Sequence, residues 1–178
     1  MTLLIAYATT DGQTRKIARF CADRLAARHS VELLDLADAE GLDPGRFQAA
    51  ILAGSVHMHK VQPALIAFAK ANATALTARP TLFLSVSLSA AGDDPEDWQG
   101  LRDCAAAFVA ETGWSPGQVV DVAGAFRFDQ YDFFRAWAMR RIAAAKGQAV
   151  DPHGSREYTD WSALADLLDR WEAGLTAA

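Results

Sequence analysis

Five short apolar runs, separated by segments with a helical pattern, constrain the fold of this chain more than any other feature of its sequence. The runs are mostly apolar rather than strictly alternating, which is typical of strands whose two faces are both covered. Strands that alternate with helices form βαβ units, so the sequence predicts a parallel sheet with helices on both faces. The predicted strands occupy residues 2–8, 31–36, 49–55, 81–87 and 118–126.

Apolar residues at helical spacing mark the segments between these strands. Pro63 suits the first turn of a helix, because a backbone N–H at that position has no partner within the helix and proline loses nothing by lacking it. Gly113 suits the end of a helix. Thr159 or Asp160 is the predicted cap of the last helix. The predicted helices cover residues 13–28, residues 63–69, about residues 95–112, and the segment that starts at Trp161.

Right-handed crossovers leave two common arrangements for such a sheet, a six-stranded dinucleotide-binding order and a five-stranded flavodoxin-like order. Five strands favour the second, so we predict an α/β, doubly wound sheet in the order 2-1-3-4-5 within a single domain, residues 1–178. In either order a ligand binds beyond the carboxyl ends of the strands, where the strand order reverses. The loops after the first, third and fourth strands are therefore the predicted functional loops.

Charge and cysteine content argue against several classes of function. A net charge of −5 is unfavourable for a protein whose main partner is nucleic acid. Cys21 and Cys104 lie far apart in predicted helices, so we expect buried, reduced thiols rather than a disulfide or a redox motif. The sequence shows no secretory leader and no apolar run long enough to span a bilayer, so we expect a cytoplasmic protein.

The loop after the first strand combines hydroxyl groups, an acid and a glycine at the start of a predicted helix. Its residues are Thr9, Thr10, Asp11, Gly12, Gln13 and Thr14. Hydroxyl donors, backbone N–H groups and the positive end of the helix dipole together suit a phosphate. The loop lacks both the Walker lysine and the G-x-G-x-x-G pattern, which argues against a triphosphate or dinucleotide loop. The simpler alternative is a plain N-cap by Thr10 or Asp11, but three threonines exceed what capping needs.

These residues carry a family resemblance. The first loop resembles the phosphate loop for flavin mononucleotide (FMN) in flavodoxins, and the whole chain resembles the flavodoxin-like bacterial protoporphyrinogen oxidases, the quinone-dependent protoporphyrinogen IX dehydrogenases. Beyond the first loop, the motifs that carry this resemblance are AGSV at 53–56, SVSL at 85–88, AGAFR at 123–127 and YTDW at 158–161.

The resemblance implies FMN-dependent oxidation of protoporphyrinogen IX to protoporphyrin IX, with a membrane quinone as the electron acceptor. It also implies that the first loop holds the phosphate, with two further groups of residues along the two sides of the flavin ring. One group is Ser55, Val56 and His57, and the other is Ser85, Val86, Ser87 and Leu88. The sequence shows no evident nucleophile or general base, and the spacing of His57 and His59 is more typical of loop residues than of a metal site.

An insertion at about residues 127–157 precedes the last helix, and its length suggests a function. Residues 126–146 carry five basic side chains against two acidic ones, and residues 131–146 within them are predicted to form an amphipathic helix rich in aromatic residues. Such a helix suits a membrane surface or a tetrapyrrole with propionates, and the alternative is ordinary packing on the sheet edge. The residues we assign to this contact are Arg127, Phe134, Arg135, Trp137, Arg140 and Arg141.

Three functions remain open at this stage. The first is the porphyrinogen dehydrogenase, peripherally bound to the inner face of the cell membrane. The second is a flavodoxin-type electron carrier, or a flavin quinone reductase with another substrate. The third is a flavin-free interaction module. The sequence leaves the identity of the quinone and the oligomeric state, homodimer or monomer, undecided.

Overall fold

The computed structural model describes residues 1–126 and 156–176. Its main sheet has five long parallel strands and one short antiparallel strand, and a separate two-stranded ribbon lies beside it. The strands of the main sheet are β1 (Thr2–Ala8), β2 (Ser30–Asp35), β3 (Ala49–His57), β4 (Lys60–Val61), β5 (Thr81–Ser87) and β6 (Gln118–Ala123). The ribbon consists of β7 (Ala125–Phe126) and β8 (Arg156–Glu157).

The order of the strands is β2-β1-β3-β5-β6, and β4 pairs only with β3. The five long strands therefore follow the predicted order 2-1-3-4-5, which confirms the flavodoxin-like prediction. All four pairings along this path are parallel. The strand order reverses between β1 and β3, and the loops that follow these two strands meet at the carboxyl edge of the sheet.

Five helices accompany the strands in the described part of the chain. Pro63 occupies the first turn of its helix, and Gly113 ends another with a positive φ of 69°, as predicted. Asp160 caps the last helix by accepting the N–H of Ala163, whereas Thr159 has a different role. The helices are α1 (Gln13–Leu25), α2 (Pro63–Ala71), α3 (Ala73–Thr77), α4 (Pro95–Thr112) and α5 (Trp161–Thr176).

The two faces of the sheet bury separate apolar cores, as the continuous apolar strands predicted. On β1, Leu3 and Ile5 face the core formed with α1 and α5, whereas Leu4 and Ala6 face the core formed with α2 and α4. Cys21 lies in the first core as a free thiol, and burial raises its pKa to about 12, which makes it unreactive at neutral pH. Among the described helices none is long and apolar enough to cross a membrane.

Most boundaries lie within two residues of the prediction, and two differ by more. The predicted strand 118–126 is divided, because β6 ends at Ala123 and the next two residues pair with β8 instead. Gly124 lies at the division, where its N–H donates to Ser87 O at 2.9 Å and its carbonyl accepts from Tyr158 N at 3.0 Å. Helix α1 ends at Leu25 rather than residue 28, because the following turn directs two side chains toward α5.

Those two side chains belong to Arg28 and His29, and both contact Glu172 of α5. Arg28 Nε lies 2.7 Å from Glu172 Oε1, its Nη2 also bonds the second carboxylate oxygen, and His29 Nε2 lies 2.7 Å from Oε1. The Glu172 side chain is only 10% exposed, so its charge depends on these partners. The Arg28 guanidinium, followed by His29, holds the pKa of Glu172 below its usual range.

The first testable prediction concerns this ionic contact between α1 and α5. Replacing Glu172 with Gln removes the charge that pairs with Arg28, so it should lower the free energy of unfolding at pH 7. The expected loss is only about 1 kcal/mol, because water screens the exposed side of the Arg28 guanidinium. Since folding lowers the pKa of Glu172, its contribution is complete above about pH 4.3, the unfolded value, and is lost as the pH falls through the folded pKa. Urea unfolding between pH 3 and 7 measures this.

The exposed Glu111 on α4 offers a matched control. Glu111→Gln removes the same charge without a buried partner, so it should change the unfolding free energy little. If the stability of Glu172→Gln stays below that of the unmodified protein by a constant amount down to pH 3, the carboxylate contact does not contribute as a charge.

Candidate functional site

The predicted phosphate loop connects β1 to α1 and leaves the start of that helix open. Gly12 adopts a positive φ of 87°, and its N–H donates to Thr9 Oγ1 at 3.0 Å, which closes the turn. No side chain among residues 1–126 and 156–176 caps α1, so neither Thr10 nor Asp11 is the plain N-cap considered as an alternative. The N–H groups of the first turn are therefore directed to the carboxyl edge of the sheet without a capping side chain.

The charges around this helix start also favour an anion. The first turn of α1 contains no acidic residue and instead carries Arg15 and Lys16, the sign that a helix N-terminus normally disfavours. Both cations turn aside, since Arg15 Nε donates to Tyr7 Oη at 3.1 Å and Lys16 Nζ contacts Glu157 Oε2 at 2.5 Å. Thr14 is buried under the loop, with 1% of its surface exposed. Because both cations are paired elsewhere, the features that fit a phosphate are the open N–H donors and the positive end of the helix dipole.

A residue that the sequence analysis missed joins the first loop to the end of β3. The side-chain amide of Gln62 donates from Nε2 to Ser55 Oγ at 2.9 Å and also to Thr10 Oγ1. Gln62 immediately precedes α2, so its position in the sequence indicated only the start of a helix. Two hydroxyls predicted to bind the cofactor therefore share one amide nitrogen.

The end of β3 continues into a tight hairpin with β4. His57 pairs with Lys60, and the two residues between them, Met58 and His59, have φ values of 49° and 60°. Positive φ at both central residues is the geometry of a type I′ turn, which usually requires Asn or Gly, so this turn is strained. Met58 is 79% exposed and presents an apolar side chain beside the site. Strain of this kind is common at ligand-binding positions.

The tip of this hairpin lies against α4 and the first loop. A Cβ at Gly100 of α4 would lie 2.4 Å from His59 Cε1, so the missing side chain makes room for the imidazole. His57 Nε2 lies 3.7 Å from Asp11 Oδ2, which brings the first and third strand loops together. The structure thus brings together Asp11, Thr10, Ser55 and His57 of the predicted site, while Val56 is buried against α2.

The predicted residues at the end of β5 are mostly buried. Ser85 pairs in register with Asp121 of β6 and hydrogen bonds to its side chain, and burial raises the pKa of that carboxyl despite this bond. Ser87 Oγ accepts the N–H of Ala90 at 3.2 Å, and Val86 lies in the core beside α1. Leu88 is the more exposed member of this group. The contact of these residues with a cofactor stays a prediction.

The YTDW motif connects the start of α5 to the first loop. Thr159 Oγ1 accepts from Gln13 Nε2 at 2.9 Å and donates to Ala123 O at 2.7 Å, so it links the first loop to the end of β6. Trp161 Nε1 donates to Glu157 Oε1 at 2.7 Å, and the Lys16 ammonium lies 5.3 Å from the centre of the indole ring. Lys16, followed by Trp161, lowers the pKa of Glu157.

The predicted membrane or porphyrin contact lies outside the described residues. Its members are Arg127, Phe134, Arg135, Trp137, Arg140 and Arg141. The described part of the chain does locate the two ends of this segment, because Phe126 pairs with Arg156 and Ala125 pairs with Glu157. The residues that flank 127–155 on its two sides therefore pair with each other in the β7–β8 ribbon, where Glu157 also contacts Lys16 in the first turn of α1.

Comparison with known proteins agrees with this geometry. The protoporphyrinogen IX dehydrogenase [quinone] of Escherichia coli (strain K12) is 27% identical over 170 residues, covering 94% of this chain and 92% of that protein. The enzyme of the same name from Leishmania major is 29% identical over 163 residues, covering 90% of this chain and 70% of that protein.

A solved structure supports the fold. The flavodoxin of Fusobacterium nucleatum bound to flavin mononucleotide superimposes with a TM-score of 0.53 at 13% identity, covering 99% of this chain and 97% of that one. Residues 4–152 match the family described as a flavodoxin domain. With this match over most of its length, and with the strand order and loop arrangement described above, the chain belongs to the flavodoxin domain family.

Proposed function

We propose that this protein is an FMN-dependent protoporphyrinogen IX dehydrogenase that uses a quinone as its electron acceptor. The observation that carries the proposal is the near full-length similarity to enzymes of that name in two distant organisms. The similarity covers 94% of this chain and 92% of the Escherichia coli enzyme, so it includes the sheet domain and the segment before α5 together. The open helix start at the carboxyl edge supports a phosphate-bearing cofactor.

The residues of the site suit FMN. The N–H groups at the start of α1, with the hydroxyls of Thr10 and Thr14, would hold its phosphate. The β3–β4 hairpin, with Met58 at its tip, would offer an apolar contact to a planar ring system. Bound FMN would supply the redox chemistry, the transfer of electrons from the porphyrinogen to the quinone. The protein itself binds and orients the cofactor.

We extend the proposal to the cell membrane, where quinones reside. The basic and aromatic residues of the segment 127–155 would form a peripheral contact with the inner membrane surface, while the domain remains on the cytoplasmic side. The location of the β7–β8 ribbon supports this, because the segment starts and ends beside the proposed FMN phosphate site.

The proposal is tested by adding protoporphyrinogen IX without oxygen to the purified, FMN-loaded protein. We expect the yellow flavin absorbance to bleach while porphyrin fluorescence appears, and we expect a quinone to restore the flavin colour. Bleaching by another reductant but not by the porphyrinogen would indicate an electron carrier or another quinone reductase. Failure to bind any flavin would indicate an interaction module.

A second prediction addresses the phosphate loop. Replacing Thr10 and Thr14 with Val removes two hydroxyl donors with little change in shape. Each charge-assisted hydrogen bond that is lost should weaken FMN binding by roughly 10- to 100-fold, whereas riboflavin, which has no phosphate, should bind as before. Fluorescence titration of the apoprotein measures both affinities.

The exposed Thr77 on α3 provides the control for this pair of substitutions. Thr77→Val makes the same chemical change at a position remote in sequence from the three predicted loops, so both titrations should stay unchanged. If FMN binds the Thr10 and Thr14 double variant as tightly as the unmodified protein, the phosphate does not bind at this loop.

A third prediction addresses the membrane contact. Changing Arg135, Arg140 and Arg141 to Gln should weaken binding to vesicles of anionic lipid, because each basic residue near such a surface contributes about 1 kcal/mol. The FMN content should not change. Co-sedimentation with vesicles measures the effect, and changing the exposed Arg19, Arg102 and Arg170 to Gln provides a charge-matched control. Equal binding by both triple variants would contradict a specific contact through this segment.

A further inference from the structure

One side chain in the site has a chemical role that its position before α2 does not suggest. Gln62 is half-buried, and its amide nitrogen donates to the hydroxyl oxygens of both Thr10 and Ser55. A primary amide carries two N–H bonds, so the two contacts use its whole donor capacity. One hydroxyl belongs to the phosphate loop after β1 and the other to the end of β3, which makes Gln62 a bridge between two functional loops.

The direction of these hydrogen bonds fixes the direction of the hydroxyl protons. A hydroxyl group has one proton to donate and two lone pairs to accept. Because Thr10 and Ser55 each accept from Gln62, the proton of each must point to a different partner. Both hydroxyls are therefore available as hydrogen-bond donors, and an anion, which only accepts hydrogen bonds, requires donors. If the amide were absent, the two hydroxyls could bond to each other, and that contact would occupy one of the two protons.

We infer that Gln62 is a positioning residue that orients the Thr10 and Ser55 hydroxyls as donors to the phosphate of the cofactor, which assigns Ser55 to the phosphate rather than to the side of the flavin ring that the resemblance implied. The inference rests on the proposed function, because it assumes that an FMN phosphate binds at the start of α1. Gln62 acts through the two hydroxyls and does not itself contact the anion. Its role is thus distinct from simple attachment of α2 to the first loop, and the two roles give different results in a binding experiment.

The experiment compares FMN with riboflavin, which differ only in the phosphate, on the full-length apoprotein. Gln62→Met keeps the length of the side chain but removes the donors, and it should weaken FMN binding by roughly 10-fold. Gln62→Glu replaces the donors with acceptors and draws both hydroxyl protons away from the anion, so it should weaken FMN binding by roughly 100-fold. Riboflavin should bind both variants as it binds the unmodified protein.

Gln48→Glu is the matched control for the added charge. Gln48 lies at the amino end of β3, at the opposite edge of the sheet, where its Oε1 accepts the N–H of Thr2 at 2.8 Å. A carboxylate can keep that bond, so Gln48→Glu should change neither affinity. Thermal unfolding of each apoprotein shows whether the variants fold.

Each alternative gives a recognisable result. An equal loss of FMN and riboflavin affinity in the Gln62 variants would mean that Gln62 only holds the loops together, and would overturn the inference. A loss confined to Gln62→Glu would mean that only charge repulsion matters, and would also overturn it. If the unmodified protein itself does not prefer FMN to riboflavin, the phosphate site of the proposed function is wrong, and that result needs no Gln62 variant to detect.

Discussion

The start of α1, held open without a capping side chain, is the constraint on which the rest of the site depends. The first N–H groups of a helix have no partner within the helix, and leaving them without a cap costs stability. Here the neighbouring side chains that could compensate are directed elsewhere: Thr9 closes the Gly12 turn, and Asp11 faces His57. An anion at this position would satisfy the groups that the protein leaves open. The contacts that the surrounding loops make with the first loop would then serve to hold this anion position in place.

The sequence was sufficient to predict the fold because the decisive signals are local. Continuous apolar runs predicted strands buried on both faces, and Pro63 and Gly113 marked the ends of helices through backbone restrictions of their own. The errors arose where a distant residue decides the local structure. Helix α1 ends early because its last predicted residues contact Glu172, which lies more than 140 positions away along the chain. The division of the fifth predicted strand depends in the same way on pairing with residues near 157.

The site was only partly predictable for the same reason. The motif residues of the first and third strand loops do meet at the carboxyl edge, but their roles depend on contacts that no spacing in the sequence reveals. Ser85 bonds to Asp121 across the sheet, and Gln62 reaches two hydroxyls from the start of α2. The hairpin turn at Met58 was also unpredictable, since neither Met nor His is a residue that normally adopts positive φ. Such a turn forms only when the surrounding packing, including the space above Gly100, compensates for its strain.

The YTDW motif shows how one segment can serve both the core and the site. Each of its residues has a separate contact: Tyr158 extends the backbone pairing through Gly124, Thr159 bridges Gln13 and Ala123, Asp160 caps α5, and Trp161 lies against Phe20 with ring centres 5.0 Å apart. The contacts of Tyr158, Thr159 and Trp161 reach either α1 or the end of β6. Helix α1 is thus fixed at its start by Gln13 and Lys16 and near its end by Arg24, which forms a two-pronged ion pair with Asp169. Contacts with Glu157 and Thr159 at its start and with Asp169 of α5 near its end hold α1 in place, so the fold itself keeps the donors at the helix start in the position where an anion would bind.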